Sequence, residues 1–246
     1  MKPEANQACV PRITVRQMRE VDQMMVEDYG IDLVRMMENA GRHCAEVSRM
    51  RFLGGSVRGA RVLVAAGTGG NGGGVLAAAR NLHNWGAEIT VWTTRPFDTY
   101  TGIAGEQLRI LAMLGVNLQT FEPGRKPGPV HCVLDGIIGY SLSGTPRGVA
   151  ARMIAAIMSP AIPVLSLDVP SGIDADTATA YTPAVRPAAT LTLALPKAAM
   201  AGERARKLMG ELYLADIGVP PGLYRRLDPP VSVDKLFDTR QILRLW

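Results

Sequence analysis

The chain has 246 residues, of which 47% are hydrophobic and 20% charged, a balance that excludes an intrinsically disordered protein and fits one large globular domain. The formal net charge is only +5 and aromatic residues make up 5% of the chain, so we expect no nucleic-acid partner. Glycine is overrepresented, with 26 residues against an ordinary share of about 7%.

Cysteine content and hydrophobic runs predict the compartment. Cys9, Cys44 and Cys132 show no C-x-x-C spacing, which argues against a disulfide framework or structural zinc and indicates a reducing cytosol. Residues 1–7 contain no apolar run typical of a secretion signal. The longest uncharged stretch, residues 153–167, contains two prolines and predicts a helix, a break and a strand instead of a membrane span. We therefore expect a cytoplasmic protein with no membrane partner.

The N-terminal part of the chain predicts a tail and two helices. Residues 1–12 form the predicted tail, and a single domain is expected over residues 13–246. A capping-box pattern at Thr14 begins the first helix, Gly30 ends it, and Asp32 caps the second helix. The methionine-rich apolar stripes of both helices are typical of core packing.

Beyond residue 60, strands and helices alternate. Strands are predicted over residues 61–66, 88–93, 130–134, 162–167, 189–195 and 211–215, and helices over residues 75–85, 103–115 and 148–158. Repeated strand–helix units with short links indicate a central, mostly parallel sheet with helices on both faces, a three-layer α/β/α arrangement. Ligands of such folds bind beyond the carboxyl ends of the strands. The residues that follow the strands are therefore the candidates for a site.

The sequence GTGGNGGG follows the first strand, at residues 67–74. Glycines let the backbone approach a ligand closely, and the N-terminus of the next helix supplies free N–H groups for an anion. No GK[ST] sequence follows, which excludes a nucleoside-triphosphate P-loop. No acidic residue ends the second strand, at residues 92–95, which disfavours a conventional NAD-dependent dehydrogenase. A tight turn without function is the alternative, although one or two glycines would suffice for it.

Two later strands deliver aspartates to the same predicted edge of the sheet. Asp135 precedes a loop rich in glycine and serine, and Asp168 precedes Ser171 and Gly172. A single aspartate in such a place is often only a helix cap, but two that face a glycine loop predict a site. They could hold a cation through oxygen ligands, or one could act as a general base if the pocket raised its pKa. The three histidines have no metal-ligand spacing, and we expect them to be structural.

Six segments in this order carry a family resemblance: MREVDQMMVEDYGIDLVRMMENAG, GTGGNGGGVLAAARNL, VLDGIIGYSLSGTPRG, LSLDVPSGID, LTLALPKAAM and GELYLADIGVP. They resemble the YjeF N-terminal domain family of NAD(P)H-hydrate epimerases, roughly over residues 13–220. The resemblance implies a Rossmann-like fold, a homodimer and an enzyme that interconverts the R and S epimers of hydrated NADH and NADPH. A dehydratase then restores the cofactor, and because the chain ends at Trp246 we expect that partner to be a separate protein.

The resemblance also implies roles for individual residues. Asp168 matches the substrate-contacting acid and is the predicted acid/base catalyst, while Asn71, Asp135 and Ser171 match positions that bind a potassium ion. The predicted substrate-binding residues are Gly70, Asn71, Gly72, Gly73, Gly74, Gly139, Tyr140, Ser141, Leu142, Ser143, Gly144, Thr145 and Asp168. A carboxylate that moves the proton of the substrate hydroxyl would open and reclose the hydrated carbon, which scrambles its configuration.

One loop departs from the family pattern. Relatives carry NNGGD where this chain has GNGGG at residues 70–74, so the first asparagine and the aspartate are both absent. The loss of these polar side chains favours an alternative function, a non-catalytic nucleotide-binding or scaffold domain that uses the same cleft. The retained Asp168 and predicted cation ligands favour an enzyme, with reduced activity as one expectation. Hydroxyls of Tyr140 and Ser141 are candidates to compensate for the loss.

Overall fold

The computed structural model describes residues 10–158, 161–233 and 235–246; most of the predicted tail and the predicted break at Pro160 lie outside these ranges. The strands are β1 (Arg61–Ala66), β2 (Glu88–Thr93), β3 (Asn117–Thr120), β4 (Cys132–Gly136), β5 (Val164–Leu167), β6 (Ala189–Leu193), β7 (Glu211–Ala215) and β8 (Ile242–Arg244). The helices are α1 (Val15–Glu27), α2 (Leu33–Arg51), α3 (Gly70–Asn84), α4 (Gly102–Met113), α5 (Gly148–Met158), α6 (Gly202–Met209) and α7 (Pro221–Tyr224).

All eight strands belong to one sheet, in the order β3-β2-β1-β4-β5-β6-β7-β8. Strands β1 to β7 pair in parallel, and β8 pairs antiparallel with β7. From β1 the chain first adds β2 and β3 on one side, and then crosses over to add β4 and the later strands on the other side. The direction in which strands are added therefore reverses between β1 and β4. This reversal opens a crevice at the carboxyl ends of these two strands, the usual ligand position in an open α/β sheet.

Helices cover both faces of the sheet, which confirms the predicted three-layer α/β/α class. Val62 and Val64 of β1 are buried in the cluster that includes residues of α1 to α4. The alternating residues Leu63 and Ala65 are buried in the cluster that includes residues of α5. This alternation follows from the two-residue period of a strand. None of the helices in the described ranges is long and apolar enough to cross a bilayer.

The start of α3 differs from the prediction. The helix begins at Gly70 instead of at residue 75, so five residues of the glycine-rich stretch are helical. Glycine lowers intrinsic helix stability by about 1 kcal/mol per residue relative to alanine, and the composition therefore predicts a loop. The segment is helical despite this preference. Residue 72 lies so close to the end of β1 that a Cβ there would be 1.9 Å from the carbonyl oxygen of Gly67. Only glycine lets the helix start this close to the end of β1.

Other boundaries were also wrong in the prediction. β4 spans residues 132–136 instead of 130–134, so Asp135 lies inside the strand and not after it. β6 ends at Leu193, two residues earlier than predicted, because Ala194 takes a left-handed conformation with φ 63°. The elements that the sequence did not predict are β3, β8, α6, α7 and a 3-10 turn at residues 97–99. These elements are short, and short segments carry little periodicity.

Candidate active site

A cavity of about 730 Å³ lies at the carboxyl ends of β1, β4, β5 and β6, within the size range of sites for small ligands and cofactors. The start of α3 forms one wall and the loop over residues 137–141 forms another, while α1 and α2 contribute a mostly apolar lining, with Asp22 as its charged member. Its polar side chains include Asn71, Asp168 and Lys197. The cavity therefore occupies the crevice that the reversal of strand order creates.

Asp168 follows β5 directly and is 2% exposed. Its backbone takes the left-handed conformation, with φ 61°, a region that aspartate tolerates better than most residues. Oδ1 accepts hydrogen bonds from the hydroxyl of Thr192 and the N–H of Leu193, each at 3.2 Å, and it pairs with the ammonium of Lys197. No residue in the described ranges donates to Oδ2. Because Asp168 lines the cavity, Oδ2 is the oxygen that remains available to a bound molecule.

Lys197 is fully buried, with 0% of its surface exposed. Besides Asp168, its ammonium donates to the carbonyl oxygen of Leu193 at 2.9 Å and lies 6.0 Å from the centre of the Tyr140 ring. A buried ammonium is stable only when an anion compensates its charge. The two side chains therefore form one unit, in which Lys197 fixes the orientation of the Asp168 carboxylate. The sequence placed Lys197 in a family motif but gave it no role.

The structure joins Asp135 and Ser171, two of the three predicted cation ligands. Oδ1 of Asp135 accepts from the Ser171 hydroxyl at 2.6 Å and the Ile137 N–H at 3.3 Å. Oδ2 accepts from the Ser166 hydroxyl at 2.7 Å and the Ser171 N–H at 2.9 Å. Burial raises the pKa of Asp135, and the hydrogen bonds from Ser171, Ser166 and Ile137 oppose that rise. This carboxylate holds the ends of β4 and β5 together.

Asn71, the third predicted cation ligand, makes a different contact. Its amide nitrogen donates to the carbonyl oxygen of Leu167 at 2.7 Å, and no residue in the parts of the chain that the structure describes donates to its Oδ1. The amide lies against Gly139, where an added Cβ would be 2.8 Å from that oxygen. Ser171 is tied to the same loop, because its hydroxyl accepts from the Ile138 N–H at 2.9 Å.

The donor set suits a hard monovalent cation. The candidate ligands are an amide oxygen, a hydroxyl and one carboxylate, all of them oxygen donors that match hard cations. A single carboxylate balances a single positive charge. The described ranges contain no group of three histidine, cysteine, aspartate or glutamate side chains that could hold a metal ion. The donor types therefore match the potassium ion that the sequence resemblance implies, while both oxygens of Asp135 each accept two hydrogen bonds from protein donors.

Six residues of the predicted substrate-binding loops line the cavity, and six do not. Those that line it are Gly70, Asn71, Gly72, Gly139, Tyr140 and Ser141. Those that do not are Gly73, Gly74, Leu142, Ser143, Gly144 and Thr145. Asp22 of α1 also lines the cavity, and the sequence did not single it out. Its sequence signals are its place in the first of the six family segments and its position among Met18, Val21 and Met25, which are buried on α1.

The two glycines that depart from the family pattern have different surroundings. A Cβ at Gly74 would lie 2.5 Å from a methyl group of Leu167, whereas one at Gly70 would lie 3.2 Å from the terminal methyl of Met37. Leu167 is fully buried in the core, so the position of residue 74 is adapted to packing in this chain. An aspartate at residue 74 would collide with Leu167 in this packing, which accounts for glycine at this position.

Replacement of Gly72 by alanine is expected to lower the free energy of unfolding by about 3 kcal/mol, because the new methyl group overlaps a backbone oxygen that cannot turn aside. Gly69 is the matched control, since a Cβ there has nothing within 4 Å, and we expect Gly69→Ala to change stability by less than about 0.5 kcal/mol. Urea unfolding measures both. Equal stability of the two variants would contradict the close approach of α3 to β1.

Comparison with known proteins gives one consistent result. The family described as YjeF-related protein N-terminus matches residues 34–199. An NAD(P)H-hydrate epimerase from Dehalogenimonas lykanthroporepellens is 44% identical over 89% of this chain and 86% of its own length. An NAD(P)H-hydrate epimerase from Truepera radiovictrix is 36% identical over 86% of this chain and 92% of its own length.

Longer relatives and a solved structure extend this result. A bifunctional NAD(P)H-hydrate repair enzyme Nnr from Moorella thermoacetica is 33% identical over 86% of this chain, which corresponds to 41% of the relative. The crystal structure of the yeast protein YNL200c superposes with a TM-score of 0.77 and 26% sequence identity. The superposition covers 96% of this chain and all of the yeast chain.

Proposed function

Because the chain belongs to the YjeF N-terminal domain family, we propose that it is an NAD(P)H-hydrate epimerase, an isomerase that interconverts the R and S epimers of hydrated NADH and NADPH. One structural observation supports this most: Asp168 is held by three donors on Oδ1 and leaves Oδ2 to a cavity of about 730 Å³. A domain that only binds nucleotides or acts as a scaffold would not need a buried ion pair that aims a carboxylate oxygen at its ligand.

Ring opening requires one proton to move from the substrate hydroxyl to a base and then from that base to the ring nitrogen. The hydrated carbon carries a hydroxyl and the ring nitrogen, and Oδ2 of Asp168 takes the hydroxyl proton as a general base. The electrons of the O–H bond form a C=O bond, the C–N bond breaks, and Asp168 passes the proton to the ring nitrogen. Rotation about the adjacent C–C bond presents the other face of the carbonyl. Reclosure reverses these steps and yields the opposite epimer, with no net gain or loss of atoms.

The start of α3 is the proposed site for the pyrophosphate. The first backbone N–H groups of a helix have no partner within the helix and carry the positive end of its dipole. Gly69, at the N-cap of α3, supplies no side-chain cap, so no side chain competes for these N–H groups. Gly70 and Gly72 line the cavity and let the phosphates approach the backbone.

Potassium, when bound, would supply a fixed positive charge at the carboxyl edge of the sheet, next to an anionic substrate. Asn71, Asp135 and Ser171 are its proposed ligands. The hydrogen bonds of Ser171 to Asp135 and to the loop at Ile138 support this proposal, since one ion there would join both segments. We expect the ion to order this loop without taking part in proton transfer.

A melting experiment tests the potassium site without measuring activity. Ten times the dissociation constant of a ligand adds about 1.4 kcal/mol of stability, so saturating potassium should raise the melting temperature by about 3 to 6 °C relative to choline. Ser171→Ala removes a proposed ligand and should abolish this increase.

Ser166→Ala is the matched control for the potassium experiment. Ser166 is a fully buried serine that donates to the other oxygen of Asp135, but it is not a proposed ligand. We expect this variant to be less stable than wild type, because it loses a buried hydrogen bond, and to keep the increase in melting temperature with potassium. A potassium effect that survives Ser171→Ala, or is missing in wild type, would contradict the site.

We also propose a homodimer in the cytoplasm that shares its metabolite with a dehydratase. The name of the Moorella relative, a bifunctional NAD(P)H-hydrate repair enzyme, supports a link between the two repair activities. Light scattering of the purified chain measures the oligomeric state.

Incubation of the purified R epimer of hydrated NADH with the chain tests the proposed activity. Chromatography should show the S epimer forming much faster than in buffer, and faster in potassium than in choline. Absence of any acceleration would favour the binding or scaffold function.

A further inference from the structure

Tyr140 connects three parts of the site. It lies in the loop after β4, its ring centre is 6.0 Å from the ammonium of Lys197, and its hydroxyl donates to Oδ2 of Asp22 at 2.6 Å. Asp22 belongs to α1, 118 residues earlier in the chain, and lines the same cavity. Burial raises the pKa of the Tyr140 phenol, so this group keeps its proton and acts as the donor.

The loop has few other attachments near its tip. Its first residues are anchored to the sheet, because the N–H groups of Ile137 and Ile138 donate to Asp135 and Ser171. Ser141 and Ser143 are exposed, and the N–H of Leu142 donates to the carbonyl oxygen of Gly139 within the loop at 3.3 Å. The Tyr140 ring packs against the core and Gly139 lies against Asn71, and the Tyr140 hydroxyl adds a long-range hydrogen bond from this segment to α1.

We propose that Asp22 is a positioning residue that acts through Tyr140, holding the loop over residues 137–145 against the Asp168–Lys197 pair. The inference rests on the proposed function and deepens it. A hydrogen bond to a carboxylate is stronger than one between neutral groups, which suits a contact that must fix a loop. With its proton committed to Asp22, the phenol oxygen can only accept from a substrate, for example from the hydroxyl or carboxamide of the hydrated nicotinamide ring.

The hydrogen bond between Tyr140 and Asp22 also holds the Tyr140 ring beside the Asp168–Lys197 ion pair. The Tyr140 ring covers the ammonium of Lys197 from the side of the loop, and exclusion of water strengthens charge interactions. Release of the Tyr140 ring would expose the ion pair to solvent. The attraction between Lys197 and Asp168, which orients the carboxylate, would then become weaker. Loss of Asp22 should therefore affect turnover more than substrate affinity.

Two single variants and their combination test this coupling. Asp22→Ala and Tyr140→Phe should each lower kcat about 10-fold or more, the usual effect of losing a hydrogen bond to a charged group. The double variant should be no slower than the slower single variant, because both changes break one contact. Asp22→Asn keeps an oxygen that accepts from the phenol and should retain most of the kcat. Multiplicative losses in the double variant would overturn the proposal.

Hydrogen–deuterium exchange tests the contact without any activity. Amides of residues 137–145 should exchange at least several-fold faster in Asp22→Ala and Tyr140→Phe than in wild type. Asp28→Ala is the control, because Asp28 caps the same helix and pairs with Arg226; it should leave this exchange unchanged. Unchanged exchange in Asp22→Ala would overturn the proposal. An inactive wild type with the expected exchange would instead reject the proposed epimerase function and leave the contact supported.

Discussion

Asp168→Asn is expected to slow epimerisation about 10²- to 10⁴-fold, the usual contribution of general acid–base catalysis. Asparagine tolerates the left-handed backbone of this position and keeps an oxygen for the donors from Thr192 and Leu193. It cannot accept the proton of the substrate hydroxyl. The loss should therefore fall on kcat, as measured by chromatography of the two epimers.

The control for this variant is Asp98→Asn, an exposed aspartate that is not among the residues lining the cavity. It should retain wild-type activity. Because Asp168→Asn also leaves the Lys197 ammonium without a counter-ion, unfolding is measured in parallel and activity is compared well below the melting temperature. Activity of Asp168→Asn within a factor of two of wild type would contradict a role for Asp168 in proton transfer.

Lys197→Met is expected to lower the free energy of unfolding by about 3 to 5 kcal/mol, the usual cost of leaving a buried charge without its partner. Methionine nearly matches the length of the lysine side chain, so packing changes little. The charge of Asp168 then remains buried, with only the hydroxyl of Thr192 and the N–H of Leu193 as donors to Oδ1. Urea unfolding at neutral pH measures the change.

The double variant Asp168→Asn with Lys197→Met separates charge from packing. If the cost comes from uncompensated charge, removal of both charges should recover part of the stability that each single variant loses. Strictly additive losses would show instead that the two side chains contribute through independent packing.

Much of the fold was predictable because its elements are long and periodic. The capping box at Thr14, the cap at Asp32 and β1 occur as expected, since local hydrogen bonds and alternation encode them. The start of α3 was not predictable, because four glycines among its first five residues favour a loop in isolation. The close contact of residue 72 with the Gly67 carbonyl and of residue 74 with Leu167 requires glycine at these two positions, and tertiary contacts of this kind are absent from local sequence patterns.

The site was partly predictable for a similar reason. Strand ends and glycine loops placed Asp135, Asp168 and Asn71 near the same edge of the sheet, as parallel topology requires. The pairing of Asp168 with Lys197 and the contact of Tyr140 with Asp22 join residues 29 and 118 positions apart. A pattern along the chain cannot specify such partners, because they depend on how β6 and α1 pack around the cavity.

The most direct measurement of the central claim starts separately from the pure R and the pure S epimer of hydrated NADH. An epimerase must accelerate both directions by the same factor and leave the equilibrium ratio unchanged, so we predict that both reactions converge on one ratio at an enzyme concentration far below that of the substrate. Conversion in either direction that is no faster with wild type than with Asp168→Asn would contradict the assignment of this cavity as an epimerase active site.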